Sequence, residues 1–178
     1  MVDNSPAPVT HTDPANLLPP AEAPDAPAIK TVLQYLKDLS FESVRPFARG
    51  SDHAPDPDFD VVVGIHSRKA DEGDYMVEFS IRAEARADGK TMFLAELIYV
   101  GCFVFANVPE EQIEPVLHLQ CAPLLFPYAR QILDDAVQKG GYPPLNIDVN
   151  AADYLSLFRG HLERKRREAA VQGADPKA

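Results

Sequence analysis

His118 and Cys121 lie three residues apart on a segment with helical character, and that spacing suits two kinds of chemistry. An imidazole beside a thiol can take its proton and leave a thiolate nucleophile. The same pair is half of a zinc site, but zinc wants a second such pair. The other histidines, His11, His53, His66 and His161, are scattered along the chain. No third group that would orient a catalytic base is identifiable either. Two buried thiols in a reducing compartment are the plainer reading of Cys102 and Cys121.

Asp56, Asp58 and Asp60, with His53 nearby, have the spacing of a divalent-cation loop. Such a loop needs a Gly after its third acid and a Glu at its end. Val61, Val62 and Val63 follow instead, and Pro55 and Pro57 intervene. An acidic loop running into a strand explains them better. Gly89-Lys90-Thr91 looks like the end of a phosphate-binding loop, yet the partner glycine would fall at Glu84. Phosphate loops also lead into a helix, whose N-terminus holds the anion. Here the chain leads into a strand. Arg164, Lys165, Arg166 and Arg167 form a basic run on a helix end, which suits the helix dipole or an acidic partner.

The chain that must position these groups has 178 residues, 46% of them hydrophobic, enough for one domain with a modest core. A net charge of −10 argues against general nucleic-acid binding and against docking on anionic membranes. MVDNSPAPVT lacks the basic and apolar regions of a signal peptide. No apolar run approaches the roughly 18 residues of a membrane span. The expectation is a cytoplasmic protein with no direct membrane insertion, no metal and no cofactor.

Residues 1–28 hold seven of the 17 prolines among small polar residues, the composition of a disordered tail. Residues 169–178 read the same way, leaving 29–168 as the folded domain. Its first half alternates apolar and polar residues. Strands are expected at Lys37–Phe47, Phe59–Ser67, Asp74–Ala87 and Thr91–Phe105, with a loop over 48–58. Asp88-Gly89 is a two-residue hairpin signal. The second half changes period. A short helix is expected at 109–119 and a longer one at 121–139, carrying Leu125, Ala129, Ile132, Ala136 and Val137 inward. Pro127 must start or kink that helix. Gly140-Gly141 ends it, Tyr142–Val149 runs extended, and Asn150 with Asp153 caps a last helix striped by Tyr154, Leu155, Phe158 and Leu162. Strands first and helices after is the α+β pattern.

The strand Thr91–Phe105 is apolar on both faces. Phe93, Leu97, Tyr99, Phe103 and Phe105 point one way. Met92, Leu94, Ile98, Val100, Cys102 and Val104 point the other, interrupted by Glu96. One layer of helices covers one face; a sister chain or a partner would cover the other.

Four segments in one order, over about 30–160, resemble the SecB family of bacterial protein-export chaperones. They are Lys37-Asp38-Leu39-Ser40-Phe41-Glu42; Phe93-Leu94-Ala95-Glu96 with Gly101-Cys102-Phe103; Cys121-Ala122-Pro123-Leu124-Leu125-Phe126-Pro127-Tyr128-Ala129-Arg130; and Gly141-Tyr142-Pro143-Pro144-Leu145-Asn146. The proline-rich N-terminus and the basic helix end are not part of that pattern. The resemblance implies a four-stranded antiparallel sheet followed by helices, assembled as a homotetramer, a dimer of dimers. It implies no enzymatic activity and no cofactor. The function implied is ATP-independent holding of unfolded precursor proteins in the cytosol and delivery to the SecA motor; a SecB-like chaperone dedicated to one partner, such as an antitoxin, is the alternative. Asp38, Glu42, Leu94 and Glu96 match the positions that contact SecA. For clients, Tyr142, Pro143 and Leu145 in the extended stretch, with Phe126, Tyr128, Leu155 and Phe158, are candidates to line a groove. Ordinary core packing is the competing explanation for each of these seven.

Overall fold

Period-two alternation builds four strands, β1 (Ala28–Ser43), β2 (Asp58–Lys69), β3 (Tyr75–Ala87) and β4 (Lys90–Ala106). They form one antiparallel sheet in the order β1-β4-β3-β2. The structure is a computed structural model and describes residues 26–44, 57–70 and 73–172. Most of the expected 1–28 tail, the 48–58 loop with His53 and Asp56, and the last residues of the 169–178 tail lie outside the described residues.

β1 starts nine residues before the expected Lys37. Its pairing with β4 slips between Thr31 and Leu33 and again between Leu36 and Asp38. Each slip is a bulge that leaves one residue out of the ladder, so the alternation that marks a strand is interrupted twice. Asp88 and Gly89 turn the β3–β4 hairpin with φ of 54° and 69°, as the Asp-Gly pair predicts.

The two expected helices at 109–139 are one continuous helical run. It comprises α1 (Glu110–Val116), a π-helical turn (Leu117–Cys121) and α2 (Ala122–Lys139). Pro123 and Pro127 lack the N–H that an α-helix needs. In the turn just before them the Ala122 N–H reaches back five residues to Leu117 O. The inward stripe of α2 is Ala122, Leu125, Phe126, Ala129, Leu133 and Val137. Leu133 therefore takes the place expected of Ile132 and Ala136, which are half-buried.

The stripe lies on the sheet face built from Phe79, Ile81, Phe93, Leu97 and Phe103, each 1% exposed or less. A Cβ on Gly101 would sit 2.7 Å from Leu125 Cδ2, so β4 and α2 approach as closely as a glycine allows.

Helix α3 (Ala151–Gln172) begins on a reciprocal cap. Asn150 Oδ1 accepts from the Ala152 N–H at 2.8 Å, and Asp153 Oδ2 accepts from the Asn150 N–H at 2.9 Å. The helix runs to Gln172, four residues into the range expected to be a tail. Arg164–Arg167 therefore lie inside the helix, and no basic residue occupies its last turn. The dipole argument for that cluster does not hold. Lys165 instead pairs with Glu114 of α1 at 2.7 Å.

Candidate functional site

The register of the sheet gathers Asp38, Glu42, Leu94 and Glu96 on one face. Glu42 stands opposite Leu94, Ser40 opposite Glu96 and Asp38 opposite Ile98. Residues paired directly across a ladder share a face, and this one points away from the helices. β3 adds Arg82 opposite Glu96 and Glu84 opposite Leu94.

Arg82 Nη1 donates to Glu96 Oε1 at 3.1 Å, and Arg82 Nη2 lies 3.8 Å from Glu84 Oε2. Arg86 donates to both Glu84 oxygens, at 2.8 and 3.0 Å, and the Thr91 hydroxyl donates at 2.8 Å. The Arg86 hydrogen bonds, then that of Thr91, hold the Glu84 carboxyl below its ordinary range. The surface is thus acidic at Asp38 and Glu42, apolar at the half-buried Leu94, and largely neutralised toward Arg82 and Arg86.

A second region lies on the helix-covered face, where the chain crosses from α2 to α3, starting over β1 and β4 and ending beside β2 at the opposite edge. Gly141 takes φ of 87° and turns the chain back to the sheet. Tyr142 then anchors the crossover. Its hydroxyl donates to Met92 O at 2.9 Å and accepts from Ser43 Oγ at 2.8 Å. Its ring packs on Phe93 and Phe41, with centroids 4.7 and 6.1 Å away. The Leu145 N–H donates to Asp134 Oδ1 at 2.8 Å, and Arg130 donates to Ile147 O at 3.4 Å.

Beyond these anchors a groove of about 420 Å³ opens between Val61 and Val63 of β2, residues 146–149, and Asp153, Ser156 and Leu157 of α3. A second cavity, of about 370 Å³ and mostly apolar, is lined by Leu119, Pro123, Ala151, Tyr154 and Leu155.

The seven candidate client residues separate in space. Phe126, Tyr142 and Leu145 are buried in the core, which is the ordinary packing weighed against them. Phe158 packs on His118 at 5.2 Å, and Pro143 is half-buried. Tyr128 is exposed but stacks on Tyr99, which pairs with Leu36 of β1, toward the other edge of the sheet. Leu155 is both exposed and on a cavity wall. The groove residues Val61, Val63 and Leu157 are ones the sequence reading did not single out. Their available signal was the Val61-Val62-Val63 run, a β-branched stretch beside an acidic loop.

His118 and Cys121 do not form an activated pair. Burial pushes the Cys121 thiol up to about 12 and His118 down to about 4. Both groups are therefore held in their un-ionised forms, the reverse of a thiolate–imidazolium couple. Gly89-Lys90-Thr91 forms the hairpin corner into β4, with no helix N-terminus behind it.

An antiparallel sheet covered on one face by helices, with a groove beside its edge strand β2, defines an α+β protein. Comparison with known proteins makes this specific. The family described as preprotein translocase subunit SecB matches residues 22–165. A protein-export protein SecB of Xanthobacter autotrophicus is 42% identical over 142 residues, 79% of this chain and 88% of its own. That of Bradyrhizobium diazoefficiens is 36% identical over 154 residues, 86% of this chain and 94% of its own. A SecB-like chaperone of Mycobacterium tuberculosis, solved in complex with a peptide from an antitoxin, superposes with a TM-score of 0.59 at 14% identity. That match covers 68% of this chain and 90% of the other, and the likeness is one of fold. The chain belongs to the SecB family.

Proposed function

We propose that this chain is an ATP-independent chaperone of protein export. It holds unfolded precursor proteins in the cytosol and passes them to the SecA motor. The groove beside β2 is the observation that carries the reading. β2 is an edge strand, laddered on one side only, and Val61 and Val63 line the groove next to it. An extended client laid there gains backbone pairing and apolar contact without a required sequence. Leu157 extends that contact surface, while the cavity at Leu155 lies on another face of α3.

The other edge supports assembly as a dimer of dimers. β1 exposes Ile29, Val32, Leu33, Tyr35, Leu36 and Leu39, and α2 exposes Leu124 and Tyr128 beside it. Apolar surface of that extent calls for cover, and a second copy supplies it symmetrically. Among the described residues no helix is long and apolar enough to cross a membrane. The acidic patch at Asp38 and Glu42, centred on Leu94, suits a basic segment of the motor. Release then follows competition by the motor, with no nucleotide bound to this chain.

Relatives at 36–42% identity carry the export name, whereas the antitoxin-bound neighbour shares the fold at 14%. Export is therefore favoured over service to a single antitoxin. Newly made chains captured with this protein test the choice. Signal-bearing precursors should be enriched; one dominant partner in their place would overturn the reading.

A further inference from the structure

Helix α3 is fastened to the body by a stack of rings that ends in an ion pair. His118, on the π-helical turn, is 0% exposed, and its Nε2 lies 3.1 Å from Ser67 Oγ of β2. His161 of α3 lies against it, with ring centroids 4.4 Å apart and planes tilted by 33°. Phe158, one turn earlier on α3, packs on the same imidazole at 5.2 Å. His161 Nε2 is 2.9 Å from Glu114 Oε1 of α1, and Lys165 donates to that same oxygen at 2.7 Å.

His118 Nδ1 is buried with no hydrogen-bond partner among the described residues. Other attachments of α3 are few. Tyr154 rests on Phe79 at 6.5 Å, Leu157 packs on the core, and residues 163–171 are exposed.

We infer that His118 and His161 form a proton-sensitive latch for helix α3, and that protonating the buried imidazole frees the helix from the body. The groups that face His118 come from three neighbouring elements. β2 supplies His66 and Ser67, α1 supplies Glu114, itself paired with Lys165, and α3 supplies His161 and Arg164. Burial opposes a charge on His118 most strongly, His161, His66 and Arg164 oppose it further, and Glu114 alone favours it. Nδ1 has no acceptor waiting for a proton. A proton on His118 would put a buried charge against the His161 ring 4.4 Å away, with no partner for Nδ1.

The sign follows. Above the ordinary value of 6.5 the imidazole is neutral whether α3 is docked or free, and docking is at full strength. Below it the freed imidazole takes a proton that the docked one refuses until about 4. Docking therefore weakens as pH falls through that window, by up to about tenfold per unit. Asp153, Ser156 and Leu157 of α3 wall the groove, so the latch also governs its width. That last step rests on the client reading given above; the latch does not.

Hydrogen exchange on the full chain, corrected for intrinsic rates, tests the latch. Between pH 7.5 and 5.5 the protection of α3 amides should fall about tenfold, while β3 and β4 amides stay protected. In His118→Phe, which keeps a ring in place without a titrating nitrogen, the fall should be less than about twofold. Constant α3 protection in the wild type, or an equal fall in His118→Phe, overturns the latch. Should that variant not fold, imidazole NMR on the wild type decides: His118 titrating above pH 6 contradicts the proposal, and a ring still neutral at pH 5 supports it. Affinity for a permanently unfolded polypeptide, measured at the same two pH values, should fall with α3 protection. A protection step that leaves this affinity unmoved keeps the latch and overturns the groove as the client site.

Discussion

Arg82 and Glu96 face each other across the β3–β4 ladder, with Nη1 donating to Oε1 at 3.1 Å. Their side chains are 53% and 45% exposed, so water screens the pair and it contributes at most about 1 kcal/mol to stability. Its consequence is for docking: Arg82 neutralises one of the acids expected to receive the motor. Glu96→Lys should leave Tm within a degree or two and cost about 1–3 kcal/mol of SecA affinity. Arg82→Ala should raise that affinity a few-fold at low salt. Calorimetric titration of SecA in low and moderate salt measures both. Equal affinities across the series would assign this face to structure.

Tyr142→Phe should destabilise the fold without altering client binding. The substitution removes one of two donors to the Met92 carbonyl, which keeps the Val44 N–H at 2.8 Å, and leaves Ser43 Oγ without its acceptor. With the Met92 carbonyl still paired, the loss is that of ordinary hydrogen bonds, about 0.5–1.5 kcal/mol. Thermal unfolding should move down by about 2–4 °C for each kcal/mol lost. An unchanged Tm with weakened client binding would make Tyr142 a client contact after all.

Gly140→Ala should also destabilise, for a steric reason. A Cβ there runs into the Phe41 ring of β1, which is itself wedged against Phe93 and Tyr142. Overpacking of this kind costs about 1–3 kcal/mol. Denaturant melts of the variant and of the Gly140→Ala, Phe41→Leu double variant check it. The smaller side chain should recover part of the loss.

Leu36→Asp or Tyr128→Asp should break the assembly. Both residues are exposed on the β1 side of the molecule, with Tyr128 stacked on Tyr99 and Tyr99 paired with Leu36. A buried unpaired carboxylate opposes association strongly. Light scattering at micromolar concentration should give a tetramer for the wild type and smaller species for either variant. A wild type that runs as a monomer would remove the assembly from the account.

The sheet was legible because alternation and the Asp88-Gly89 turn are local signals. So was the Asn150–Asp153 cap, whose two partners lie within one turn. The first half of β1 was not, since its bulges near Val32 and Lys37 break the period that identifies a strand. The helical run escaped because three prolines within 115–127 argue for separate pieces, while the π turn lets the chain continue. The acidic patch could be read from strand spacing, and the register aligns it. The groove could not. Tyr142 and Phe126 are aromatic and sit beside prolines, which fits a client surface and a core anchor equally well. Only the tertiary hydrogen bonds of Tyr142 and the packing of Phe126 on Phe79 tell them apart.

The central claim is that an unfolded chain is held in the groove beside β2 without nucleotide. Titrating a permanently unfolded polypeptide, free of ATP, into the wild type and into a Val61→Asp, Leu157→Asp double variant tests it directly. Replacing two of the groove's apolar contacts by carboxylates, where Asp148 and Asp153 already stand, should lower affinity at least about tenfold, with the oligomer and the SecA affinity unchanged. Wild-type affinity in the double variant, or holding that appears only when ATP is added, would contradict the account.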